Sequence, residues 1–195
     1  MDSGCFKTFQ WQNPCDHTLT GATLIMEAHP HSDWIVSPSG TPPRLDAAFY
    51  YTESADDFIL TATVSHPFAA RYDACALAVV YDDTHWGKIC YEYSDAATRC
   101  IATVITNGVS DEANGDDLDA ASVRLRLMRK GDLFAMFFAQ EDGSFKMARY
   151  FSMPALRPVK LGLIAQSPLG EGGVFTFDQI DLAFRTPHDI RRSGI

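Results

Sequence analysis

No apolar run in this chain approaches the roughly 20 residues a membrane-spanning helix requires, and no credible long helix can be read along it. Positive charge is scarce: 16 Lys and Arg stand against 25 Asp and Glu, a net charge of −9. A surface of that sign repels nucleic-acid phosphates and anionic lipid, so neither nucleic acid nor membrane is an expected partner. Cysteine is sparse and odd in number, with five at positions 5, 15, 75, 90 and 100 and no CxxC pair. Reduced thiols buried as small hydrophobes are the simplest reading, although a hairpin could set Cys90 opposite Cys100. The N-terminal MDSGCFKTFQW has neither the basic nor the apolar region of a secretory signal. Together with the thiols this gives a cytoplasmic expectation.

Catalytic signatures are missing as well: there is no GxSxG elbow, no P-loop and no GxGxxG. The histidines at 17, 29, 31, 66, 85 and 188 lack metal-ligand spacing. The acidic stretch Asp111–Asp119 lacks the EF-hand pattern, since its twelfth position is Ser122. It reads as a solvated loop, and no metal or cofactor is expected.

What is present is β-sheet. Apolar, β-branched and aromatic runs fall at 22–28, 47–53, 57–65, 74–82, 85–93, 98–107, 122–130, 132–139, 144–151, 158–166 and 173–184. Turn residues separate them, and the Pro/Gly/Ser-rich stretches 12–21 and 36–46 read as loops. Strands at this spacing indicate an all-β, two-sheet antiparallel sandwich of jelly-roll type. One domain over residues 1–195 is expected, because sandwiches of this length commonly form a single unit. Residues 122–127 alternate strictly, with Val123, Leu125 and Leu127 opposite Ser122, Arg124 and Arg126. Residues 133–138 (LFAMFF) are apolar on both faces, which fits either a strand covered on both sides or one that floors an apolar groove.

The middle third, Tyr72 to Asp111, holds the best hint of a site. On the strand 85–93, Trp86, Lys88 and Glu92 share one face, while Gly87, Ile89 and Tyr91 share the other and suit a core. An indole offers a platform to the C–H face of a sugar ring, and a lysine and a glutamate can bind its hydroxyls. Alternatively, Lys88 and Glu92 lie on a solvated face, as neighbours along the strand or across it, and Trp86 caps the core's edge. Thr106, Arg149 and Gln166 are further candidates for the same ligand surface. For catalysis the candidates are Glu92 as general acid or base and Lys88 as the charge tuning it. Glu92 is the one acid well inside a central strand, whereas glycoside cleavage calls for a pair of carboxylates.

The blocks YDACALAVVYDDTHWGKICYEY, TVITNGVSDE, LRLMRKGD, MARYF and KLGLIAQSPLGEGGVFTFD, in that order, resemble a family of unknown-function domains. Its fungal members are described as regulators of enolase. The resemblance runs from about Trp11 to Phe184 and rests on Trp86, Lys88, Glu92, Thr106, Ser110, Asp111, Arg129, Arg149 and Gln166. It implies a fold like the concanavalin A-type lectins and glucanases, and by analogy a sugar-related role. Three functions stay open on this reading. The chain could bind a carbohydrate or small polar metabolite through Trp86, Lys88, Glu92, Thr106, Arg149 and Gln166, regulate a metabolic enzyme such as enolase, or act on glycosides through Glu92.

Overall fold

A computed structural model describes residues 5–154 and 158–193. After one 3-10 turn at Cys5–Thr8 the described residues form strands. The first seven are β1 (Gln10–Gln12), β2 (His17–Thr20), β3 (Thr23–Ala28), β4 (Trp34–Ile35), β5 (Arg44–Leu45), β6 (Ala48–Ser54) and β7 (Phe58–Ser65). The central four are β8 (Ala74–Asp82), β9 (His85–Tyr93), β10 (Arg99–Asn107) and β11 (Val109–Asp117). The last five are β12 (Val123–Lys130), β13 (Leu133–Ala139), β14 (Phe145–Ser152), β15 (Val159–Gln166) and β16 (Gly173–Ala183). No helix among the described residues is long and apolar enough to cross a membrane.

Fourteen of these strands build two seven-stranded sheets, β1-β6-β15-β8-β9-β10-β11 and β14-β13-β12-β7-β16-β3-β2. Neighbours in both sheets run antiparallel, through hairpins such as β9-β10 and β12-β13 and through long crossovers such as β8 to β15 and β7 to β16. Period-two alternation brings the two sheets face to face. Leu77, Ile89, Tyr91, Ile101 and Leu163 of the first meet Leu60, Leu125, Leu127, Phe134 and Phe177 of the second in one buried cluster. The jelly-roll sandwich expected from the strand spacing is therefore the fold.

Gly87 shows why that alternation is tight. Its missing side chain points into the core, where an added Cβ would stand 2.8 Å from Cζ of Phe151 and 3.2 Å from Cε of Met136. Gly87→Val is expected to cost about 1–3 kcal/mol by overpacking, read as a lower denaturation midpoint at unchanged slope. A variant as stable as the parent would refute the close approach.

Of the run 133–138, Phe134 to Phe138 are covered on both sides, while Leu133 is exposed. Phe134, Met136 and Phe138 enter the main core, whereas Ala135 and Phe137 pack with Ile59, Met128 and Ile190. The chain end is held there by Arg126, which donates to Ser193 O at 2.6 Å and lies 3.9 Å from the Phe145 ring.

Three segments read as loops contain strands. Within 12–21, β2 pairs with β3, and within 36–46, β5 pairs with β4. Most of the acidic stretch is β11, an edge strand paired with β10. Asn107-Gly108, with Gly108 at φ +79°, reverses the chain there. Cys90 pairs with Ala102 and Cys100 with Glu92, so the two thiols do not face each other. Cys15, Cys75, Cys90 and Cys100 are all free and buried.

Candidate functional site

Much of the outer face of the first sheet is covered. Segment 29–47, which carries β4 and β5, lies across it as an arm, and beneath the arm Trp34, Val36, Phe49, Ala76, Ala78, Val80, Trp86, Cys90 and Val104 form a second buried cluster. The arm is tied at several points. Ser32 and Ser167 exchange backbone bonds at 3.1 and 3.2 Å. Val36 N donates to Ser110 Oγ at 2.9 Å, and Ser110 N donates to Val36 O at 2.9 Å. Lys88 Nζ donates to Trp34 O at 2.8 Å.

Strand register fixes what lies under the arm. One lateral row runs Gln166, Ala74, Glu92 and Cys100, and another runs Gly162, Ala78, Lys88, Val104 and Glu112. Small side chains on this face (Ala74, Ala76, Ala78, Ala102) leave room beneath the arm. The result is a cleft of about 340 Å³ lined by Asp33, Tyr72, Lys88, Glu92, Asp95, Glu112, Asn114 and Gln166, among others. Lys88, Glu92 and Gln166 form its deep end, at 2%, 9% and 2% exposure. Tyr72, Asp95, Glu112 and Asn114 are exposed around its mouth.

The deep end is polar and held in place. Lys88 Nζ donates to Gln166 Oε1 at 2.6 Å, and Gln166 Nε2 donates to Tyr72 O at 3.2 Å. Nζ also lies 5.8 Å from the centroid of the Trp86 ring. Glu92 has no hydrogen-bond partner among the described residues. Burial pushes its carboxyl up to about 8; Lys88 pulls it down, while Glu112, Asp33 and Asp95 push it further up. Glu112, whose carboxyl is partly desolvated at the mouth, is also raised, with Lys88 opposing and Asp33 adding to the shift. Glu92 thus carries a proton at neutral pH, and Lys88 acts on it with the sign expected of a tuning charge.

The structure brings Lys88, Glu92 and Gln166 together and separates the other candidates from them. Trp86 is 0% exposed and sits in the cluster beneath the arm, so it cannot offer a face to a sugar ring. Its indole N–H and that of Trp34 have no partner among the described residues. Thr106 is 1% exposed and its hydroxyl is bonded to that of Ser110 at 2.8 Å, so it fastens the arm and binds nothing in the cleft. Arg149 lies on β14 of the other sheet and donates to Asp111 across the sandwich edge at 3.2 Å. It does not line the cleft: Asp111 points to the opposite face of β11 from Glu112 and Asn114, which do.

Asp33, Asp95, Glu112 and Asn114 went unread in the sequence. For Glu112 and Asn114 a signal existed: Asn107-Gly108 is a strong hairpin cue, and the two residues share a face of the strand that follows. Nothing in the local sequence marks Asp33 as lying over the sheet. Among the described residues no three His, Cys, Asp or Glu converge to hold a metal.

An antiparallel jelly-roll sandwich whose one sheet carries a polar, arm-covered cleft is the class that fold and site define. Within that class, the chain belongs to the family described as "Protein of unknown function (DUF1349)", which matches residues 11–184. That description names no activity, so enolase regulation is not part of it. A functionally unknown protein from Saccharomyces cerevisiae superposes with a TM-score of 0.84 at 21% identity, covering 92% of this chain and 98% of that one. Carbohydrate-binding module CBM66 from Bacillus subtilis superposes at 0.55 with 10% identity, covering 90% and 94%. The GH43 protein BlXynB from Bacillus licheniformis gives 0.64 at 12% identity, covering 84% of this chain but 33% of its own length. At these identities the likeness is one of fold. No curated protein sequence matches the chain.

Proposed function

We propose that the chain binds a carbohydrate or related polyol in the cleft under the arm. The observation that carries this reading is the deep end itself: Lys88, Glu92 and Gln166 are almost wholly buried yet line an open cleft. Buried polar groups are normally satisfied by protein or water, and here Glu92 points into the cleft without a partner. A ligand rich in hydroxyls supplies both donors and acceptors. The likeness of fold to a carbohydrate-binding module and to glycoside-acting proteins supports the same class. A cytoplasmic setting fits the four free buried thiols.

The test is a thermal-shift panel of mono- and oligosaccharides. A ligand at about 100 times its dissociation constant adds about 2.7 kcal/mol, a rise of roughly 5–10 °C for a chain of this size. Lys88→Met is expected to abolish that rise while the free variant still melts cooperatively. A full panel without any shift would reject the reading.

A second reading draws on one observation. Glu92 holds a proton at neutral pH and shares its cleft with Asp33, Asp95 and Glu112, the raw material of a general acid and its partner base. Glycoside turnover that disappears in Glu92→Gln would establish it, and a panel at the level of that variant would reject it.

A further inference from the structure

The cleft is unbalanced in charge. Asp33, Glu92, Asp95 and Glu112 line it against Lys88 alone. Lys88 is already committed, donating to Trp34 O and Gln166 Oε1, so one of its three donors is left for a ligand. Two of the acids have protein partners: Asp33 accepts from Trp34 N at 2.7 Å and Asp95 from Asn114 Nδ2 at 2.9 Å. Glu92 has none among the described residues and is nine-tenths buried. An anion would meet repulsion from Asp33, Asp95 and Glu112, and a wholly neutral ligand would leave these three in excess over Lys88 while displacing their water.

A bare divalent cation fits no better. Calcium needs six to eight oxygens at about 2.3–2.6 Å, and among the described residues no three acids converge on one point. The negative charge sits on the rim, at Asp33, Asp95 and Glu112, while the deep carboxyl of Glu92 is protonated and can ionise beside a cation. That distribution suits an extended molecule with one positive group and several hydroxyls.

We infer that the ligand is an amine-bearing saccharide or polyol, its ammonium group beside Glu92 and the rim acids and its hydroxyls at Lys88 and Gln166. This inference rests on the carbohydrate reading above and adds the charge of the ligand to it. It also has a signature that a neutral sugar lacks. Glu92 is faced by Lys88 on its own strand, Cys100 on β10, Glu112 on β11, Asp33 on the arm, Asp95 in the β9–β10 turn, and Gln166 and Tyr72 across the cleft. In that setting it keeps its proton at neutral pH. An ammonium placed beside it favours the ionised form, so taking up the amine expels a proton.

Isothermal calorimetry of the full chain at pH 6.5, where an amino sugar is charged, tests this directly. D-glucosamine, D-galactosamine and D-mannosamine are titrated beside glucose, galactose and mannose, each in two buffers of different ionisation enthalpy. At least one amino sugar is expected to bind tenfold or more tightly than its neutral counterpart, releasing about one proton per site. Glu92→Gln, which mimics the protonated carboxyl in shape, is expected to abolish the release and most of the preference, and Glu112→Gln to weaken the preference. Neutral sugars binding as tightly as their amines would overturn the inference and leave the carbohydrate reading standing. Calcium binding in the cleft with no heat from the amino sugars would also overturn it, as would amine binding that Glu92→Gln leaves unchanged. Silence from every sugar, charged or neutral, would remove both.

Discussion

Trp86→Ala is expected to lower the unfolding free energy by about 3–5 kcal/mol, the range for deleting a large buried aromatic. Trp86 is wholly buried and lies at the seam where the arm meets the sheet, with Trp34, Val36, Val80 and Val104 in the same cluster. Its neighbours belong to two elements joined chiefly by this cluster and a few hydrogen bonds. The cavity therefore weakens the arm's seat as well as the core. Urea denaturation reads the loss directly, and a cost below about 1 kcal/mol would mean that the arm does not pack as described. A ligand lost from this variant would report a disturbed fold, so Glu92, which holds no part of the arm, is the position at which binding is cleanly tested.

The second large effect is in the pH dependence. Folded Glu92 titrates near 8 against 4.5 for its free carboxyl. Between those values the folded state holds a proton that the unfolded state has lost, so stability falls as pH rises through the window. His66 works in the opposite sense. Its ring is buried, with Nε2 donating to Tyr91 O and Nδ1 accepting from Phe68 N, and burial pushes it down to about 4 from 6.5. Between those values the unfolded state holds the extra proton, and stability rises with pH. The two slopes offset each other from about pH 4.5 to 6.5, and above 6.5 the fall due to Glu92 is the main change left. From pH 6.5 to 8.5 the parent is expected to lose about 2 kcal/mol through Glu92, at about 1.36 kcal/mol per unit, whereas Glu92→Gln loses much less. Chemical denaturation at the two pH values decides it, and a level parent would refute the buried acid.

Much of this face was legible in the sequence because strand periodicity is local. Parity alone places Lys88 and Glu92 together, and it sends Gly87, Ile89 and Tyr91 into the core, where they are found. Parity also grouped Trp86 with them correctly, but it says nothing about what covers a face. The cover is the arm, whose VSPSGTPPRLD stretch reads only as loop and whose docking depends on Ser110 and Ser167, more than 70 residues further along the chain. Arg149 failed for a related reason: its pattern marks a strand without saying which of the two sheets takes it. Glu112 failed because Asp, Asn and Gly are depleted in strands, so an acidic edge strand resembles a solvated loop. Its Asn-Gly turn was the contrary signal.

That edge strand has a consequence beyond the cleft. β11 closes one flank of the first sheet and carries Asp111, Glu112, Asp116 and Asp117 among its nine residues. An exposed flank of unpaired backbone is a template on which a second chain can add itself. Two copies meeting there would set carboxylates beside carboxylates, an arrangement that is destabilising strand to strand. The acidic strand that lends Glu112 to the cleft mouth thus also protects the sheet from growing into a larger, aggregated one.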